Sequence, residues 1–167
     1  SIRAALCIRL KNQMGISRIH EREKELLDRA FRGLDCVPGL KILAENARDR
    51  LGVISFYIEG IHYNLVVRLL NDLYGIQVRG GCTCAGTYGH LLLEVSYEKS
   101  HEITGKITRG DLSEKPGWIR WSLHPTTTDE EVDRIMPFQP CRKVAIKYLR
   151  QNEQNPDHIK DEIVVFL

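Results

Sequence analysis

Apolar residues recur at helical spacing near the start of the chain. The spacing predicts a first helix over residues 2–14, ended by Gly15 as a left-handed cap, and a second helix up to Gly33 with Ser17 as its N-cap. Two strands are predicted next, over residues 40–44 and 52–58, where β-forming side chains lie between turn residues. The first third of the chain is therefore predicted to be a helical pair followed by strands.

The pattern changes several times in the second part of the chain. It predicts a helix over residues 64–74, a short strand over 76–79 and a largely helical stretch over 91–109. Residues 118–123 alternate like a strand, with Ile119 and Trp121 on one face and Arg120 on the other. Thr128 and Glu131 form a capping box that is expected to open a last long helix.

This order of elements predicts an α+β fold, with a short mixed or antiparallel sheet covered by helices on one face. The other face of the sheet needs a partner or solvent. The chain has 167 residues and a formal net charge of +2 with acids and bases interleaved, so its charge gives no argument for nucleic acid or an anionic membrane. No apolar run approaches the about 20 residues needed to span a bilayer, and we expect a soluble, cytoplasmic protein.

The segment VRGGCTCAGTYGH, from Val78 to His90, is rich in glycine and contains two cysteines one residue apart. A zinc site on Cys82, Cys84 and His90 is disfavoured, because structural zinc sites have about two to four residues between paired cysteines and a second ligand pair. The segment lacks the Lys-Ser/Thr pair of a P-loop and the GxGxxG fingerprint, which disfavours a phosphate cradle. The chain also lacks a GxSxG nucleophile elbow.

A reactive thiol is the remaining chemical interpretation of this segment. Cys84 precedes a helical stretch and lies five residues after Arg79, and both features lower a cysteine pKa. The chain has five cysteines, an odd number, which favours free thiols over a disulfide framework. The alternative is that the cysteines are small buried apolar residues. Two interpretations of Arg120 stay open: it binds a carboxylate through two parallel hydrogen bonds, or it is an ordinary surface charge with a packed stem. The residues alone do not decide whether His90 is functional or structural.

Two stretches, GIQVRGGCTCAGTYGHLLL and GDLSEKPGWIRWSLHPTTTDEEVDRI, together resemble the C-terminal part of class V aminotransferase-like enzymes. This pyridoxal-phosphate family includes cysteine desulfurases and selenocysteine lyases. The resemblance extends back through RLGVISFYIEGIHYNLVVRLLNDLYGI to the helix at GISRIHEREKELLDRAFRGL. It implies the small C-terminal domain of a fold-type I enzyme over residues 1–136, with residues 137–167 as a helical extension of the same domain.

The resemblance also assigns roles to particular residues. The desulfurase loop has the form Arg-x-Gly-x-x-Cys, which matches Arg79 to Cys84 and places Cys84 on the family's nucleophile. The family's Arg-x-Ser-Leu matches the stretch that begins at Arg120, the arginine expected to bind the substrate's α-carboxylate. Arg79 is a second residue expected to bind the substrate. Cys82 stands where such desulfurases commonly have histidine, and Cys82 and His90 are possible accessory residues.

The resemblance further implies that pyridoxal phosphate is bound by a large domain absent from this chain, because the chain has no His-Lys pair. The expected partners are that large domain, a second subunit in a homodimer and a sulfur or selenium acceptor protein. Removal of sulfur or selenium from an amino acid is the favoured activity. Other class V reactions, namely transamination or C–S and C–C cleavage, and a stand-alone thiol or binding module remain alternatives.

Overall fold

The computed structural model describes residues 2–82, 86–138, 144, 147 and 148. These residues form a four-stranded sheet and six helices. In chain order the elements are α1 Ile2–Met14, α2 Ile16–Leu34, β1 Leu40–Ile42, β2 Val53–Ile58, α3 Tyr63–Tyr74, β3 Arg79–Gly81, α4 Gly86–Leu92, α5 Tyr97–Thr108, β4 Trp118–Ser122 and α6 Asp129–Asp133. The predicted α+β class is confirmed.

The sheet has the strand order β1-β2-β4-β3, and every neighbouring pair is antiparallel. The helices α2, α3 and α6 bury their apolar side chains against one face of this sheet. The central strands contribute residues that are fully shielded from solvent, which include Ile54, Phe56 and Ile119. The predicted division of β4 into two faces is confirmed, because Ile119 and Trp121 are buried in this core while Arg120 is exposed on the opposite face.

The two N-terminal helices differ in how they are held. The helix α2 buries a continuous stripe that includes Leu26, Ala30 and Phe31, whereas α1 has no buried residue. Gly15 separates them with a φ of +84° and a ψ of 122°, a positive-φ conformation but not the left-handed helical geometry that was predicted for it. The prediction of Ser17 as N-cap was wrong, because α2 already begins at Ile16 and its cap position is Gly15.

Two further predictions needed correction in the middle of the chain. The third strand lies at Arg79–Gly81 rather than over residues 76–79, because its backbone pairs with β4 through Trp118, Ile119 and Arg120. The predicted helix over residues 91–109 is two helices. The chain turns between them at Glu94, where φ is +53°, and Ser96 caps α5 by accepting a hydrogen bond from the Lys99 backbone N–H.

The capping box of α6 is present as predicted, but the helix it opens is short. Thr128 accepts from the Glu131 backbone N–H, and the Glu131 side chain accepts from the Thr128 backbone N–H. The helix covers only Asp129–Asp133, and turns follow it to Pro137, which has no N–H to continue helical hydrogen bonding. Most of the predicted extension over residues 137–167 lies outside the described residues.

Arginines of α2 hold α6 in place. The Arg29 guanidinium donates to both carboxylate oxygens of Asp133, at 2.6 and 2.7 Å, and to Asp129 at 3.1 Å. Arg22 donates to Asp129 at 2.8 Å. These contacts fix the chain directly after β4, so they also fix the strand that carries Arg120. In the described part of the chain no helix is long and apolar enough to cross a membrane.

Candidate active site

Arg120 occupies the centre of the open sheet face, the face opposite the main core. Strand alternation places Trp118, Arg120 and Ser122 of β4 on this face. Antiparallel register then places Ser55 of β2 directly beside Arg120 on one side and Arg79 of β3 directly beside it on the other. Three neighbouring strands thus contribute one row of polar side chains, with two guanidinium groups next to each other.

The two arginines of this row lack carboxylate partners among the described residues. Neither Arg79 nor Arg120 forms an ion pair or a side-chain hydrogen bond there, and both side chains are exposed. Arg22, Arg29 and the loop arginine Arg48 are different, since each is paired with an aspartate. Like charges directly opposite each other on a sheet are destabilising. The Arg79–Arg120 pair therefore favours an anion from outside the described chain.

Both arginines line a cavity of about 570 Å³. The cavity lies between α3, the residues that lead into β3, and the end of β4. Its remaining lining residues are Val67, Arg68, Asn71, Gln77, Val78 and Ser122. Guanidinium, amide and hydroxyl groups line it together with two valines, and among the described residues no acidic side chain does so. This composition suits a small anionic ligand that also offers hydrogen-bond acceptors.

Packing explains why β3 consists of Arg79 and two glycines. A Cβ on Gly80 would lie 2.8 Å from the Tyr63 ring and 2.9 Å from a Val67 methyl group, which leaves no room for a side chain. The glycine lets α3 pack directly on the edge strand, and α3 forms the wall of the cavity beside Arg79. His62 stabilises the start of α3 by accepting a hydrogen bond from the Asn64 backbone N–H.

Cys82 follows β3 and is held by the chain that leads into β4. Its thiol donates to the carbonyl oxygen of Pro116 at 2.8 Å. Burial raises the pKa of the Cys82 thiol, and the positive charge of Lys115 offsets part of that rise. Cys82 is therefore a protonated hydrogen-bond donor at neutral pH, which is the opposite of an activated thiolate.

The helix α4 covers part of the open sheet face. Gly89 lies so close to Trp118 that a Cβ there would be 3.0 Å from the indole ring, and 3.4 Å from the Cys82 sulfur. One residue further on, His90 is half-buried and its Nδ1 lies 2.9 Å from the Ser100 hydroxyl of α5. Cys82 and His90 therefore each have a hydrogen-bond partner of their own, and these contacts brace the segment on both sides.

Cys84 lies outside the described residues, as do Thr83 and Ala85. The flanking residues are described. Cys82 follows directly on the strand that carries Arg79, and Gly86 begins α4. The role of Cys84 as a nucleophile stays a prediction.

Three polar residues of the cavity were missed in the sequence: Arg68, Asn71 and Gln77. Arg68 and Asn71 belong to the polar side of α3, where the pattern distinguishes buried from exposed positions and nothing more. Gln77 falls in the stretch first predicted as strand. Only the packing of α3 against β3 shows that these three side chains line the same space as Arg79 and Arg120.

The architecture is a small α+β domain with an antiparallel sheet, helices packed on one face, and a cavity beside the edge strand β3 that is lined by arginines. The chain belongs to the class V aminotransferase family, since the family model described as "Aminotransferase class-V" matches residues 2–135. The resemblance predicted from the sequence is thereby confirmed. Class V aminotransferases depend on pyridoxal phosphate.

Individual relatives are cysteine desulfurases. The chain is 40% identical to a cysteine desulfurase of Cronobacter sakazakii over 123 residues, which are 74% of this chain and 24% of that protein. It is 34% identical to a probable cysteine desulfurase of Staphylococcus epidermidis over 85 residues, 51% of this chain and 20% of the relative. An apo cysteine desulfurase structure from Thermococcus onnurineus NA1 matches with a TM-score of 0.54 and 25% identity, covering 86% of this chain and 29% of that one. The chain thus spans about a quarter of the length of these relatives.

The cavity does not by itself fit pyridoxal phosphate. An enzyme that uses this cofactor holds it with a Schiff-base lysine and a partner for the pyridine nitrogen. In the part of the chain that the structure describes, neither a lysine nor an acidic side chain lines the cavity. Lys99 and Lys106 are paired with Glu102 and Glu114 on the surface of α5 and the loop after it. The described residues therefore fit a carboxylate and not the whole cofactor.

Proposed function

We propose that this chain is the small domain of a longer enzyme that removes sulfur or selenium from an amino acid, in the manner of a cysteine desulfurase or selenocysteine lyase. The row formed by Arg79, Arg120 and Ser55 is the observation that carries the proposal. A chain of the class V family whose relatives are desulfurases thus has two arginines without carboxylate partners among the described residues, and one of them, Arg79, precedes Cys84 by five residues in the sequence.

In this proposal Arg120 binds the α-carboxylate of the substrate. Its position on the central strand β4 supports the role, because Ile119 and Trp121 anchor that strand in the core and limit its movement. A guanidinium donates two parallel hydrogen bonds to a carboxylate and so sets the orientation of the amino acid as well as binding it. Arg79 on the neighbouring strand adds a second positive charge to the same site.

Cys84 is the proposed nucleophile. Its thiolate attacks the sulfur or selenium atom of the substrate, an S–S or S–Se bond forms, and the bond from that atom to the substrate's β-carbon breaks. The electron pair of the broken bond remains on the carbon, which takes up a proton, and the product is alanine. Glycines on both sides of the Cys82–Cys84 pair, Gly80, Gly81 and Gly86, give this part of the chain few side chains that would restrict such a step.

The cofactor belongs to another part of the proposed enzyme. Pyridoxal phosphate, when bound, supplies an electron sink for the bonds made and broken at the amino acid. We propose a larger domain of the same protein as its holder, because the relatives are about four times the length matched here. A homodimer and a protein that accepts the sulfur or selenium complete the proposal.

The test uses the full-length protein purified with pyridoxal phosphate and measures sulfide and alanine released from L-cysteine. Cys84→Ser is expected to lose both products while the cofactor's absorbance band persists. Cys36→Ser is the matched control, because Cys36 is exposed at the end of α2, far along the chain from the site, and its thiol only donates to a backbone carbonyl. Full sulfide release by Cys84→Ser would exclude Cys84 as the nucleophile, and no release by the cofactor-loaded wild type would point to another class V reaction.

A further inference from the structure

The edge strand β3 contributes few side chains of its own to its contact with β4. Two of its three residues are glycines. Gly117, just before β4, has no room for a side chain either, because an added Cβ would lie 2.5 Å from the Tyr63 ring and 3.0 Å from the Gly81 Cα. Glycine in a strand costs conformational entropy and offers no side chain to pack. The pairing of β3 with β4 is therefore expected to depend on contacts from flanking residues.

The two arginines of the polar row oppose this pairing. Arg79 and Arg120 lie directly opposite each other in the β3–β4 register, and neither has a carboxylate partner among the described residues. Like charges in this arrangement are destabilising. Before a carboxylate binds, repulsion between the two guanidinium groups therefore favours separation of the edge strand from the central strand.

Cys82 links the two strands just beyond their last pair. The pairing ends at Gly81 and Trp118, and the thiol of the next residue, Cys82, donates to the carbonyl oxygen of Pro116 at 2.8 Å. In the part of the chain that the structure describes, this is the one side-chain hydrogen bond that joins the segment of β3 to the segment of β4. The thiol remains a donor at neutral pH, because burial raises its pKa. The bond thus holds the end of the ladder that lies next to the glycine-rich segment.

We infer that Cys82 is a positioning residue for the substrate-carboxylate site: its thiol keeps β3 paired with β4 and thereby keeps Arg79 beside Arg120. The inference rests on the proposed function for the role of Arg120 in binding a carboxylate. Cys82 has no contact with the substrate in this arrangement. It acts on recognition, because it holds the second positive charge within reach of the carboxylate that Arg120 binds.

Propionate tests the site without turnover, since it has the three carbons of cysteine and lacks the amino group and the sulfur. Its dissociation constant is measured by calorimetry on the full-length protein loaded with pyridoxal phosphate, at constant pH and ionic strength. Cys82→Ala removes the donor and is expected to weaken propionate binding about three- to tenfold, a factor that corresponds to the net contribution of one hydrogen bond.

Three further variants assign the effect to the hydrogen bond. Cys82→Ser keeps a donor and is expected to bind propionate within about twofold of the wild type. Arg120→Gln is expected to lose most of the propionate binding, which identifies the site that is measured. Cys36→Ala is the matched control and is expected to bind like the wild type, because the Cys36 thiol also donates to a backbone carbonyl, that of Arg32, but at the end of α2. Urea denaturation of each variant verifies that it is folded.

Hydrogen–deuterium exchange on the same proteins reports on the strand pairing itself. Amide protons of residues 79–82 are expected to exchange faster in Cys82→Ala than in the wild type and to recover in Cys82→Ser, because local opening of β3 exposes them. Exchange in α2 is expected to stay the same in all three proteins. A loss of overall stability would instead accelerate exchange in both elements.

Three results would overturn the inference. A wild type that binds no propionate would lack the carboxylate site, and unchanged binding in Cys82→Ala would mean that the thiol does not support it. Equal weakening in Cys82→Ala and Cys82→Ser would assign the effect to side-chain shape.

Kinetics with L-cysteine on the same preparations separate this inference from the proposed function. Cys82→Ala is expected to raise KM by a larger factor than it lowers kcat, because the inferred role is in binding. Sulfide release with unchanged KM and propionate affinity in Cys82→Ala refutes the inference alone. Propionate binding that depends on Cys82, without any sulfide release by the wild type, refutes the desulfurase proposal alone.

Discussion

At the scale of single residues, Cys82 is the cysteine of the glycine-rich segment whose surroundings the structure describes. Cys82 is enclosed between the Pro116 carbonyl, Trp118 and α4, and its pKa is raised by that burial. Cys84 is two residues closer to α4. A raised pKa keeps Cys82 a thiol at neutral pH, so Cys82 is poorly suited to act as a nucleophile.

The first prediction concerns the alkylation of Cys82. Its rate with iodoacetamide is expected to rise only at a pH above that of an ordinary thiol, because burial disfavours the thiolate. The same shift makes the folded state hold this proton more tightly, so the contribution of Cys82 to stability falls as the pH rises above about 8.5. Peptide-resolved mass spectrometry after timed alkylation at several pH values measures the rate, with exposed Cys36 as the internal reference. Equal pH profiles for the two cysteines would contradict the prediction.

A second residue-scale prediction concerns Gly89, where an added Cβ would be crowded by the Trp118 ring. The Cβ of Gly89→Ala would lie 3.0 Å from the Trp118 ring, and accommodating it is expected to lower the free energy of unfolding by about 1–3 kcal/mol. Gly86→Ala is the matched control in the same helix, since no atom lies within 4 Å of its added Cβ. Urea denaturation followed by Trp fluorescence measures both variants. The same midpoint for the two would show that α4 does not pack on Trp118 as described.

At the scale of elements, the sequence pattern was most informative where one face is buried and least informative where contacts come from distant strands. The spacing of apolar residues located α2 and α3, and alternation assigned the two faces of β4 correctly. The pattern missed the division between α4 and α5, because Glu94 adopts a positive φ that few residues other than glycine and asparagine favour. It also placed β3 too early, since a strand of Arg and two glycines has no propensity signal and exists through its pairing with β4.

The candidate site illustrates the same limit. Alternation predicted that Arg120 would be on the polar face of its strand, and it is. The neighbouring position of Arg79 depends on the β3–β4 register, which links residues 41 positions apart, and no local pattern encodes that register. The cavity walls supplied by α3 depend in addition on the close approach that Gly80 permits.

The capping box of α6 yields the third prediction. Thr128→Ala removes the hydroxyl that accepts from the Glu131 N–H and is expected to lower the free energy of unfolding by about 1 kcal/mol. Thr128→Ser keeps the acceptor and is expected to lose less than half as much. Both values come from urea denaturation curves recorded under the same conditions. Equal losses in the two variants would assign the effect to the lost methyl group instead of the cap.

Contacts between α2 and α6 yield a fourth prediction, on acid sensitivity. The hydrogen bonds from Arg29 hold the pKa of Asp133 below its usual value. A carboxylate with a lowered pKa in the folded state stabilises the fold above its unfolded pKa of about 4, and that stabilisation is lost as the pH falls below it. Asp133→Asn is therefore expected to be less stable than the wild type at pH 7 and to lose less stability between pH 5 and pH 3. Parallel pH profiles for the two proteins would refute the coupling.

At the scale of the whole molecule, the fold leaves apolar surface at one end uncovered. The helix α1 has no buried residue, and Ile2, Leu6, Ile8 and Leu10 are each more than half exposed. Ile2, Leu6 and Leu10 follow one another at four-residue spacing and therefore lie on one side of the helix, with Ile8 on the other side. Among the described elements, the main contacts of α1 are to α2. An exposed stripe of large apolar side chains on a helix normally packs on another element, so α1 is expected to gain from contact with further protein.

The last prediction is that α1 packs against the remainder of a longer protein. Burial of three exposed side chains such as Leu6, Ile8 and Leu10 contributes about 1.5–3 kcal/mol each when it is complete, enough to slow the opening of α1 by orders of magnitude. Hydrogen–deuterium exchange is measured on the 167-residue chain and on the full-length protein. Residues 2–14 are expected to exchange rapidly in the chain alone and slowly in the full-length protein, whereas α2, whose apolar stripe is already buried, serves as the control and changes little. Rapid exchange of α1 in both proteins would show that its apolar surface remains exposed, and the packing of this domain on another would have to use the open sheet face instead.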